Sequence, residues 1–537
     1  WDRAMCLFIW GNPTGEPPRL DEEEPADEPA APSDPRLTAA LDDAQTSPEF
    51  LPVPADDLEE VLKRPIEDWM VYLDPDQRSL VERNYNGPAR IRGAAGTGKT
   101  VVALHRARRF AAEGKRVLFT TYVRNLPPIY EQVFARWAPS ELKNVEFAGV
   151  HSWAMKYLVR HGAKPVLDLR GVDDAWNAAV KKVAGPGSPL AKAGLWPVFL
   201  HEEIDWVVRG RALPSPDAYL ALERSGRGTP LNRELRAEVW KLSQAYEDEL
   251  SRREISDFTE VLHWAYEVAD DNPPEYDAVI VDEAQDLTDA ALRLLHAVVG
   301  NKPNGLMLVG DGQQSIYPGG FSLASVGINV VGRSHVLTAN YRNTREILQT
   351  AGLVVRNESF DDGGAAPEPG ERGVAVNRSG PAPRVIAAPD EATHDVALLD
   401  AIEDAATSVA DLGDIAVLVP TNAMVKDMVH LLNTRGLSAQ HLKDHDGRPN
   451  QRPKVGTYQR AKGLEFKQVF VPRLDHAGRQ VFHKDPEARA AYEAVVKRQL
   501  FVAMTRARDG LWLGWAGQPS PLVPPGIVDM AREPLLS

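Results

Sequence analysis

The sequence predicts an α/β fold in which two parallel sheets are covered by helices. From residue 73 onward, short apolar runs rich in β-branched residues alternate with helical patterns, as expected for strands joined by crossover helices. These runs fall into two separate blocks. The chain of 537 residues is also longer than the roughly 250 residues that one hydrophobic core usually supports. Two or more packed units are therefore expected.

The predicted elements follow from the position of these runs. In the first block, strands are predicted at residues 89–92, 116–121, 278–281 and 305–309. In the second block, strands are predicted at residues 415–419, 454–457, 469–472 and 511–515. A helical, tryptophan-containing stretch, residues 151–272, interrupts the first block and is expected to form an inserted subdomain. Residues 361–383 are rich in glycine and proline and are expected to form a surface loop.

The composition is that of a globular chain, since 43% of the residues are hydrophobic and 26% are charged. The single cysteine, Cys6, excludes an internal disulfide framework. No apolar run reaches the roughly 18 residues of a membrane span, and no signal-peptide pattern is visible at the N-terminus. A reducing, cytoplasmic setting without membrane contact is expected.

The negative charge is concentrated at the N-terminus. Residues 1–72 hold 18 acidic and five basic side chains, so they carry −13 of the net charge of −15. Residues 11–57 are rich in proline, acidic residues and alanine and are expected to form a flexible tether. The apolar run 5–10 is typical of an upstream strand or of an apolar tail, so a fused or associated upstream domain is one expected partner. The near-neutral remainder neither excludes nor favours DNA binding.

A complete phosphate-loop motif, GAAGTGKT, stands between a predicted strand and a helical run. In this pattern backbone N–H groups wrap the phosphates, Lys99 reaches the β and γ phosphates, and the Thr100 hydroxyl binds Mg²⁺. A chance Gly-rich turn is the alternative, and the flanking strand and helix argue against it. The residues expected to bind the nucleotide here are Gly93, Ala94, Ala95, Gly96, Thr97, Gly98, Lys99 and Thr100.

The acidic motif DEAQD follows the apolar run AVIV, which places its first carboxylate at a strand end beside the phosphate loop. Asp282 is the expected Mg²⁺ ligand, through water. Glu283 is expected to orient and deprotonate the attacking water. A solvated acidic loop is the alternative, and the nearby phosphate loop makes it the weaker one.

Six ordered motifs, GAAGTGKT, DEAQD, VGDGQQSIY, NYR, KGLEF and VAMTRAR, resemble those of UvrD/Rep superfamily 1 DNA helicases over residues 73–515. The resemblance implies two RecA-like P-loop NTPase domains with ATP and Mg²⁺ between them. It also implies ATP-driven movement from 3′ to 5′ on single-stranded DNA, in DNA repair, recombination or genome defence. The expected units are residues 1–72 (N-terminal segment), 73–150 with 273–335 (domain 1A), 151–272 (a helical 1B-like insertion), 336–520 (domain 2A) and 521–537 (C-terminal tail).

By motif position, the resemblance also implies how the base and ribose are bound. Gln77 in LDPDQR resembles the glutamine that recognises the adenine edge, and Tyr341 in NYR resembles the ring that stacks on the base. Glu465 in KGLEF resembles the residue that holds the ribose. A glutamine at a helix start, a core tyrosine and a carboxylate at a helix N-terminus remain the alternatives.

Three further residues resemble catalytic groups that act with Lys99 and Glu283. Gln314 in GDGQQSIY resembles the γ-phosphate sensor that couples the nucleotide to the DNA site, and Gln313 is its rival. Arg342 and Arg506 resemble two arginines that stabilise charge developing on the γ phosphate. For each arginine, a surface ion pair is the alternative.

Candidate DNA contacts come from the same resemblance. Tyr122 in TTYVRN and His151 in VHSW occupy positions where the family contacts single-stranded DNA, although a core aromatic and a buried, hydrogen-bonded histidine are real alternatives. After SIY the family continues with an aromatic, then Arg and Gly, whereas this chain reads PGGF. Phe321 is therefore expected to supply the stacking ring from two residues later.

The second block departs from the family in length. Relatives carry a large 2B insertion shortly before KGLEF, whereas only the short interval 422–463 is available here. The sequence therefore predicts no 2B insertion, and it favours translocation over separation of strands at a duplex junction. Two alternatives stay open: a single-strand translocase that does not unwind duplex, and a nucleotide-gated DNA-binding module serving a fused upstream domain.

Overall fold

The computed structural model describes residues 73–531 except 196, 223–230, 315–322, 361–367, 370–373, 377, 449 and 479–485. By its internal contacts the chain divides into two units, Trp1–Trp69 and Met70–Ser537. All of the described residues lie in the second unit.

The first of two six-stranded sheets has all its strands parallel. In chain order they are β1 (Ala89–Gly93), β2 (Val117–Thr121), β3 (Val145–Gly149), β4 (Ala278–Asp282), β5 (Leu306–Gly310) and β6 (Ser334–Leu337). Their spatial order is β3-β2-β4-β5-β1-β6. Because β1 and β4 are parallel and lie on either side of β5, the phosphate loop and the DEAQD motif lie at the same edge of the sheet.

Four two-residue strands come next in the chain: β7 (Ala339–Asn340), β8 (Ser359–Phe360), β9 (Glu368–Pro369) and β10 (Ala375–Val376). β10 pairs in parallel with β7, and β8 pairs antiparallel with β9. The prediction of a simple surface loop at 361–383 is therefore wrong for β9 and β10. Glycine and proline mark breaks in a chain, but they do not prevent short pairings between the breaks.

The second six-stranded sheet is also fully parallel. Its strands are β11 (Arg384–Ala388), β12 (Ile415–Val419), β13 (Gln440–His441), β14 (Lys454–Thr457), β15 (Phe466–Val471) and β16 (Ala507–Ala516). Their spatial order is β11-β16-β15-β12-β14-β13. The predicted α/β class with parallel sheets is confirmed, and each of the eight predicted strands overlaps an observed one.

The four strands of these sheets that the sequence did not predict, β3, β6, β11 and β13, are the edge strands. Central parallel strands are buried on both faces and appear as continuous apolar runs. In β6, by contrast, Ser334 and Val336 are exposed. Edge strands differ less from the flanking sequence in apolar content, so they are harder to recognise from sequence.

Alternate residues of the central strands face two different cores, as the two-residue period of a strand requires. In β2, Val117 and Phe119 belong to one buried cluster, and Leu118 belongs to a second. The first cluster also contains Ala416 and Leu418 of β12. One continuous core therefore joins the two sheets.

Helices cover both sheets. Those from the first block are α1 (Pro75–Glu82), α2 (Lys99–Ala112), α3 (Leu126–Trp137), α4 (Val150–Arg160), α5 (Leu169–Val183), α6 (Pro189–Lys192), α7 (Pro197–Glu202), α8 (Pro216–Ala221), α9 (Arg233–Arg252), α10 (Phe258–Asp270) and α11 (Asp289–Ala297). Those of the second block are α12 (Arg345–Val355), α13 (Glu391–Ala406), α14 (Asn422–Thr434), α15 (Pro486–Met504) and α16 (Pro525–Met530).

The helices of the stretch 151–272 pack into two different hydrophobic clusters. Helices α5 to α9, with the π-helical turn Glu203–Arg209 that follows α7, form a hydrophobic cluster of their own. Helices α4 and α10 instead pack on the first sheet, through residues such as Trp153 and Leu262. The expected domain limits stay a prediction.

The interval 422–463, described except for residue 449, contains α14, β13 and β14. Both strands belong to the second sheet, and Met428 and Leu432 of α14 lie in a core beneath it. Among the described helices, none is both long and apolar enough to cross a bilayer.

Candidate functional site

The phosphate loop connects the end of β1 to the start of α2. Gly96 and Gly98 have φ angles of +73° and +77°, a left-handed conformation that glycine adopts without strain. A Cβ atom on Gly96 would lie 2.8 Å from Cβ of Arg342. The loop therefore needs glycine for both its backbone shape and its close packing, as a cradle of backbone N–H groups requires.

Lys99 is buried inside this loop. Its Nζ donates hydrogen bonds to the carbonyl oxygens of Gly93 (2.9 Å) and Ala94 (2.8 Å). Burial lowers the pKa of Lys99, while the neighbouring Asp311 and Glu283 carboxylates oppose this effect. The ammonium group thus lies among backbone acceptors at the place predicted for the phosphates.

Thr100 and Asp282, the predicted metal ligands, are in direct contact. The Thr100 hydroxyl donates to Oδ2 of Asp282 at 2.8 Å, and the Tyr130 hydroxyl of α3 donates to the same oxygen at 2.8 Å. Burial and the nearby Glu283 raise the pKa of Asp282 to about 6. A hydroxyl and a carboxylate beside a phosphate loop suit Mg²⁺, which typically binds one or two carboxylates with phosphate and water. Such a site needs no cluster of three or more His, Cys, Asp or Glu ligands, and the described residues contain none.

Glu283 has an unusual backbone for a residue with a side chain. Its φ angle is +53°, a left-handed conformation that costs on the order of 1–3 kcal/mol and is concentrated at functional sites. Gln285 donates from Nε2 to the Glu283 carboxylate, and its Oε1 accepts from Asp311 N at 3.0 Å. Burial alone would raise the pKa of Glu283, but Lys462, Lys99 and Arg506 outweigh it and lower that pKa. The carboxylate is thus held in its basic form.

Residues of both sheets meet at Gln314. Its Nε2 donates to Oδ2 of Asp311 at 2.7 Å, and its Oε1 accepts from Nη2 of Arg506 at 2.8 Å. Lys462 donates to the Gln314 carbonyl oxygen and forms a 2.7 Å ion pair with Asp286. Between the two rival glutamines, Gln314 is therefore the residue that contacts the predicted phosphate-facing arginine.

Arg342 and Glu465 form an ion pair with each other. The side chains are only 13% and 10% exposed, so the pair is buried rather than on the surface. Burial and the neighbouring Arg506 lower the pKa of Arg342 to about 9. Glu465 immediately precedes β15, so its alternative as a helix N-terminal carboxylate is wrong. Among the described residues, Nε of Arg342 and Oε2 of Glu465 have no hydrogen-bond partner, which leaves both able to bind a further group.

Gln77 and Tyr341, from distant parts of the chain, both contact the phosphate loop. Gln77 completes the capping box of α1 with Asp74, and its Nε2 also donates to the Thr97 carbonyl oxygen at 3.1 Å. The Tyr341 N–H donates to the Gly96 carbonyl oxygen at 2.9 Å. Burial and Asp74 raise the pKa of Tyr341 to about 12. Gln77 therefore caps the start of α1, as its alternative interpretation predicted, and also contacts the phosphate loop.

The candidate DNA contacts Tyr122 and His151 come together at the carboxyl end of β2 and β3. Their ring centroids are 5.4 Å apart, and Trp206 of the π-helical turn and Phe258 of α10 extend this aromatic cluster. Burial lowers the pKa of His151 to about 4, so its ring is neutral near pH 7. Phe321 lies outside the described residues.

Several residues of the site were not singled out from the sequence. Lys462 lies within KGLEF, and Asp311 lies within VGDGQQSIY, so motif membership was a signal for both. Tyr130 lies in an ordinary helical run, LPPIYEQVF, which carries no signal for a contact with Asp282. Asn340 of NYR donates to the Ala95 carbonyl oxygen at 2.6 Å and ties the second block to the phosphate loop.

Comparison with known proteins shows a similarity to one family of helicases. Residues 214–328 match the profile of the UvrD/REP helicase N-terminal domain. This stretch contains DEAQD and Gln314, and the motif order on either side agrees with it. Over this stretch the chain is similar to UvrD/Rep-type superfamily 1 helicases. Its two parallel α/β sheets agree with the RecA-like domains of such helicases.

Individual relatives in this helicase family are distant. The chain is 24% identical over 310 residues to a Bacillus subtilis protein named as an ATP-dependent DNA helicase, YjcD, covering 53% of this chain and 38% of that protein. It is 30% identical over 149 residues to DNA helicase II of Haemophilus influenzae, covering 25% and 20%. It is 34% identical over 99 residues to one polypeptide of the ATP-dependent helicase/nuclease of Natranaerobius thermophilus, covering 17% and 8%. The matches thus span less than half the length of each relative.

Proposed function

We propose that this chain is an ATP-dependent DNA helicase motor that hydrolyses ATP with Mg²⁺ and moves 3′ to 5′ along single-stranded DNA. The observation that carries the proposal is the hydrogen bond between Arg506 and Gln314, which joins the second sheet to the first beside Lys99 and Glu283. A nucleotide bound at this junction would contact both halves of the motor. Hydrolysis would then change how the halves are held together.

Each side chain has a role that follows from its position. The loop glycines and Lys99 would hold the phosphates, and Thr100 with Asp282 would hold Mg²⁺. When bound, Mg²⁺ neutralises charge that develops on the phosphate oxygens. Glu283 would take the proton of the attacking water, since its lowered pKa keeps it deprotonated and Gln285 orients it.

Two arginines supply the remaining positive charge. Arg506 lies close enough to lower the pKa of Arg342, and both arginines interact electrostatically with Glu283. Charge that is fixed in advance in a buried site stabilises a transition state strongly. The free Nε of Arg342 supports a further acceptor at this point, as a γ phosphate would provide. Glu465 and Tyr341 with Gln77 would bind ribose and base.

The aromatic cluster at Tyr122 and His151 supports the DNA site. Single strands are bound by stacking on aromatic rings together with contacts to the phosphate backbone. Because His151 is neutral near pH 7, it would contribute a ring face or a hydrogen bond rather than charge. A neutral ring cluster favours a track without strong sequence preference.

A second candidate function is translocation without duplex unwinding. It is favoured by the interval 422–463, whose described elements all belong to the layer of the second sheet. Without a 2B insertion there, a surface that holds duplex against the motor must come from elsewhere. The helicase/nuclease names among the relatives are compatible with a motor that serves an attached or associated domain.

The proposal is tested by steady-state ATP hydrolysis with and without single-stranded DNA. We expect DNA to stimulate hydrolysis and Lys99→Ala to abolish it without unfolding the protein, because the hydrogen bonds of Lys99 Nζ to described residues go to backbone oxygens of its own loop. Lys115→Ala is the matched control, since Lys115 lies at the surface and pairs with Glu113. Hydrolysis that persists in Lys99→Ala would contradict the site, and a 3′-tailed duplex substrate separates helicase from translocase.

A further inference from the structure

We infer that Arg378 is a positioning residue that fixes the two phosphate-facing arginines, Arg342 and Arg506, relative to each other. The inference rests on the proposed hydrolysis of ATP at this site. Arg378 lies outside the six motifs, in a region whose sequence predicted only a surface loop.

The Arg378 guanidinium bridges the two segments that carry these arginines. Its Nη1 donates to the backbone carbonyl oxygen of Arg342 and, at 3.3 Å, to that of Arg508. Its Nη2 donates to Oδ1 of Asp509 at 2.6 Å. One planar group therefore contacts the NYR segment and the residues that follow Arg506. Hydrogen bonds from a charged donor are roughly twice as strong as neutral ones.

The backbone of Arg378 is itself held in place. Its carbonyl oxygen accepts from Arg345 N at 2.9 Å. Two residues earlier, β10 pairs in parallel with β7, so Val376 lies opposite Asn340. Arg378 is thus anchored to the NYR segment through its backbone and reaches the other segment with its side chain.

A second, independent contact is expected to keep the fold stable when Arg378 is replaced. Nδ2 of Asn343, which is fully buried, donates to the carbonyl oxygens of Thr505 (3.0 Å) and Ala507 (2.6 Å). This contact joins the same two segments from the core side. Loss of Arg378 should therefore loosen the orientation of the arginines without separating the segments.

This arrangement predicts an effect on the transition state rather than on nucleotide binding. Arg342 and Arg506 act on charge that develops during the reaction, so their exact placement affects turnover most. A displacement of about 1 Å at a reacting centre can lower the rate by about 100-fold. The Arg378 guanidinium contacts the backbone of Arg342 and the residues after Arg506, so its contribution is expected to pass through the placement of Arg342 and Arg506.

The test compares kcat for DNA-stimulated hydrolysis with the affinity for a fluorescent, non-hydrolysable ATP analogue. Arg378→Ala should lower kcat by between about 10-fold and 100-fold and leave the affinity nearly unchanged. Arg378→Lys should also be impaired, because a single ammonium cannot bridge two carbonyl oxygens and a carboxylate. Added guanidinium should partly restore Arg378→Ala but not Arg506→Ala, whose own group must reach the phosphate. Arg435→Ala is the matched control, since Arg435 is an exposed arginine with two carboxylate partners in the same half.

A triple variant decides whether Arg378 acts through Arg506 and Arg342. In an Arg506→Ala, Arg342→Ala background, Arg378→Ala should have little further effect on kcat, whereas independent contributions would multiply. Two outcomes would overturn the inference but not the proposed function. One is a wild-type kcat in both Arg378 variants, and the other is a multiplied loss of kcat in the combined variant. Absence of DNA-stimulated hydrolysis in the wild type would overturn the proposed function and the inference together. Thermal unfolding of each variant, compared with Arg435→Ala, shows that the readout concerns folded protein.

Discussion

Arg506 donates a 2.8 Å hydrogen bond from Nη2 to Oε1 of Gln314. The two residues lie 192 positions apart in the chain; Gln314 follows β5 of the first sheet and Arg506 precedes β16 of the second. Asp311 holds the other end of the Gln314 amide at 2.7 Å, so the amide oxygen is oriented toward the arginine. The contact directly connects the first half of the fold to Arg506, the proposed catalytic arginine of the second half.

Removing this connection should uncouple the DNA site from hydrolysis. For Gln314→Ala, we expect basal ATP binding to persist and the DNA stimulation of hydrolysis to fall by between about 5-fold and 150-fold, the usual range of coupling between sites. The exposed Gln244 of α9 provides a control, as Gln244→Ala. Steady-state hydrolysis over a range of DNA concentrations measures the effect. Full stimulation in Gln314→Ala would mean that another residue carries the coupling.

Glu283→Gln should separate binding from chemistry. The amide keeps the shape of the carboxylate but cannot accept a proton, so single-turnover hydrolysis should fall by between about 100-fold and 10,000-fold. Affinity for ATP and for DNA should persist, because neither depends on this proton transfer. Glu113→Gln, at the surface, is the control. A parallel loss of ATP affinity would show that Glu283 is structural.

The central part of the fold was predictable from sequence because burial on both faces produces continuous apolar runs. The motifs predicted that Lys99, Asp282 and Glu283 lie near one another, because the phosphate loop follows β1 and DEAQD begins at the end of β4 in the same sheet. The edge strands and the short pairing of β10 with β7 were not predictable, because two-residue pairings leave no periodic pattern.

Contacts between distant side chains also escaped prediction. Tyr130 reaches Asp282 from a helix whose sequence resembles any other amphipathic helix, and its hydroxyl gives no signal of its own. Arg378 lies among glycines and prolines that indicate a loop. Such residues are identified by geometry, because their function depends on where the fold brings them and not on their neighbours in the sequence.

A buried ion pair should dominate the stability of the helical segment where it meets the first sheet. Arg209, at the end of the π-helical turn, contacts Asp257 with both terminal nitrogens, one at 3.1 Å. Arg209→Met leaves the carboxylate buried and unpaired, so the free energy of unfolding should fall by about 3–5 kcal/mol. Denaturant titration followed by tryptophan fluorescence measures this change. The exposed pair of Arg435 is the control, and Arg435→Ala should cost less than about 1 kcal/mol. Equal losses of unfolding free energy in the two variants would contradict a dominant stabilising role for the Arg209–Asp257 ion pair.

His151 should make stability depend on pH. Burial lowers its pKa to about 4 in the folded protein, below the value of about 6.5 expected when unfolded. Protonation therefore favours the unfolded chain, so the contribution of His151 is complete above about pH 6.5 and is lost as the pH falls toward 4. His151→Asn should lose less stability than the wild type between pH 7 and pH 5, by on the order of 1–2 kcal/mol. Unfolding midpoints at the two pH values, with His430→Asn as the surface control, measure the difference. Identical losses in His151→Asn and wild type would exclude this contribution.

The most direct test of the motor is stopped-flow translocation on single-stranded DNA of increasing length, with a fluorophore at either the 5′ or the 3′ end. ATP should produce an arrival signal at the 5′ end whose delay grows in proportion to DNA length, and Lys99→Ala should produce none. The same preparation should hydrolyse ATP only slowly without DNA. A signal that does not depend on length, or arrival at the 3′ end, would contradict ATP-driven movement from 3′ to 5′.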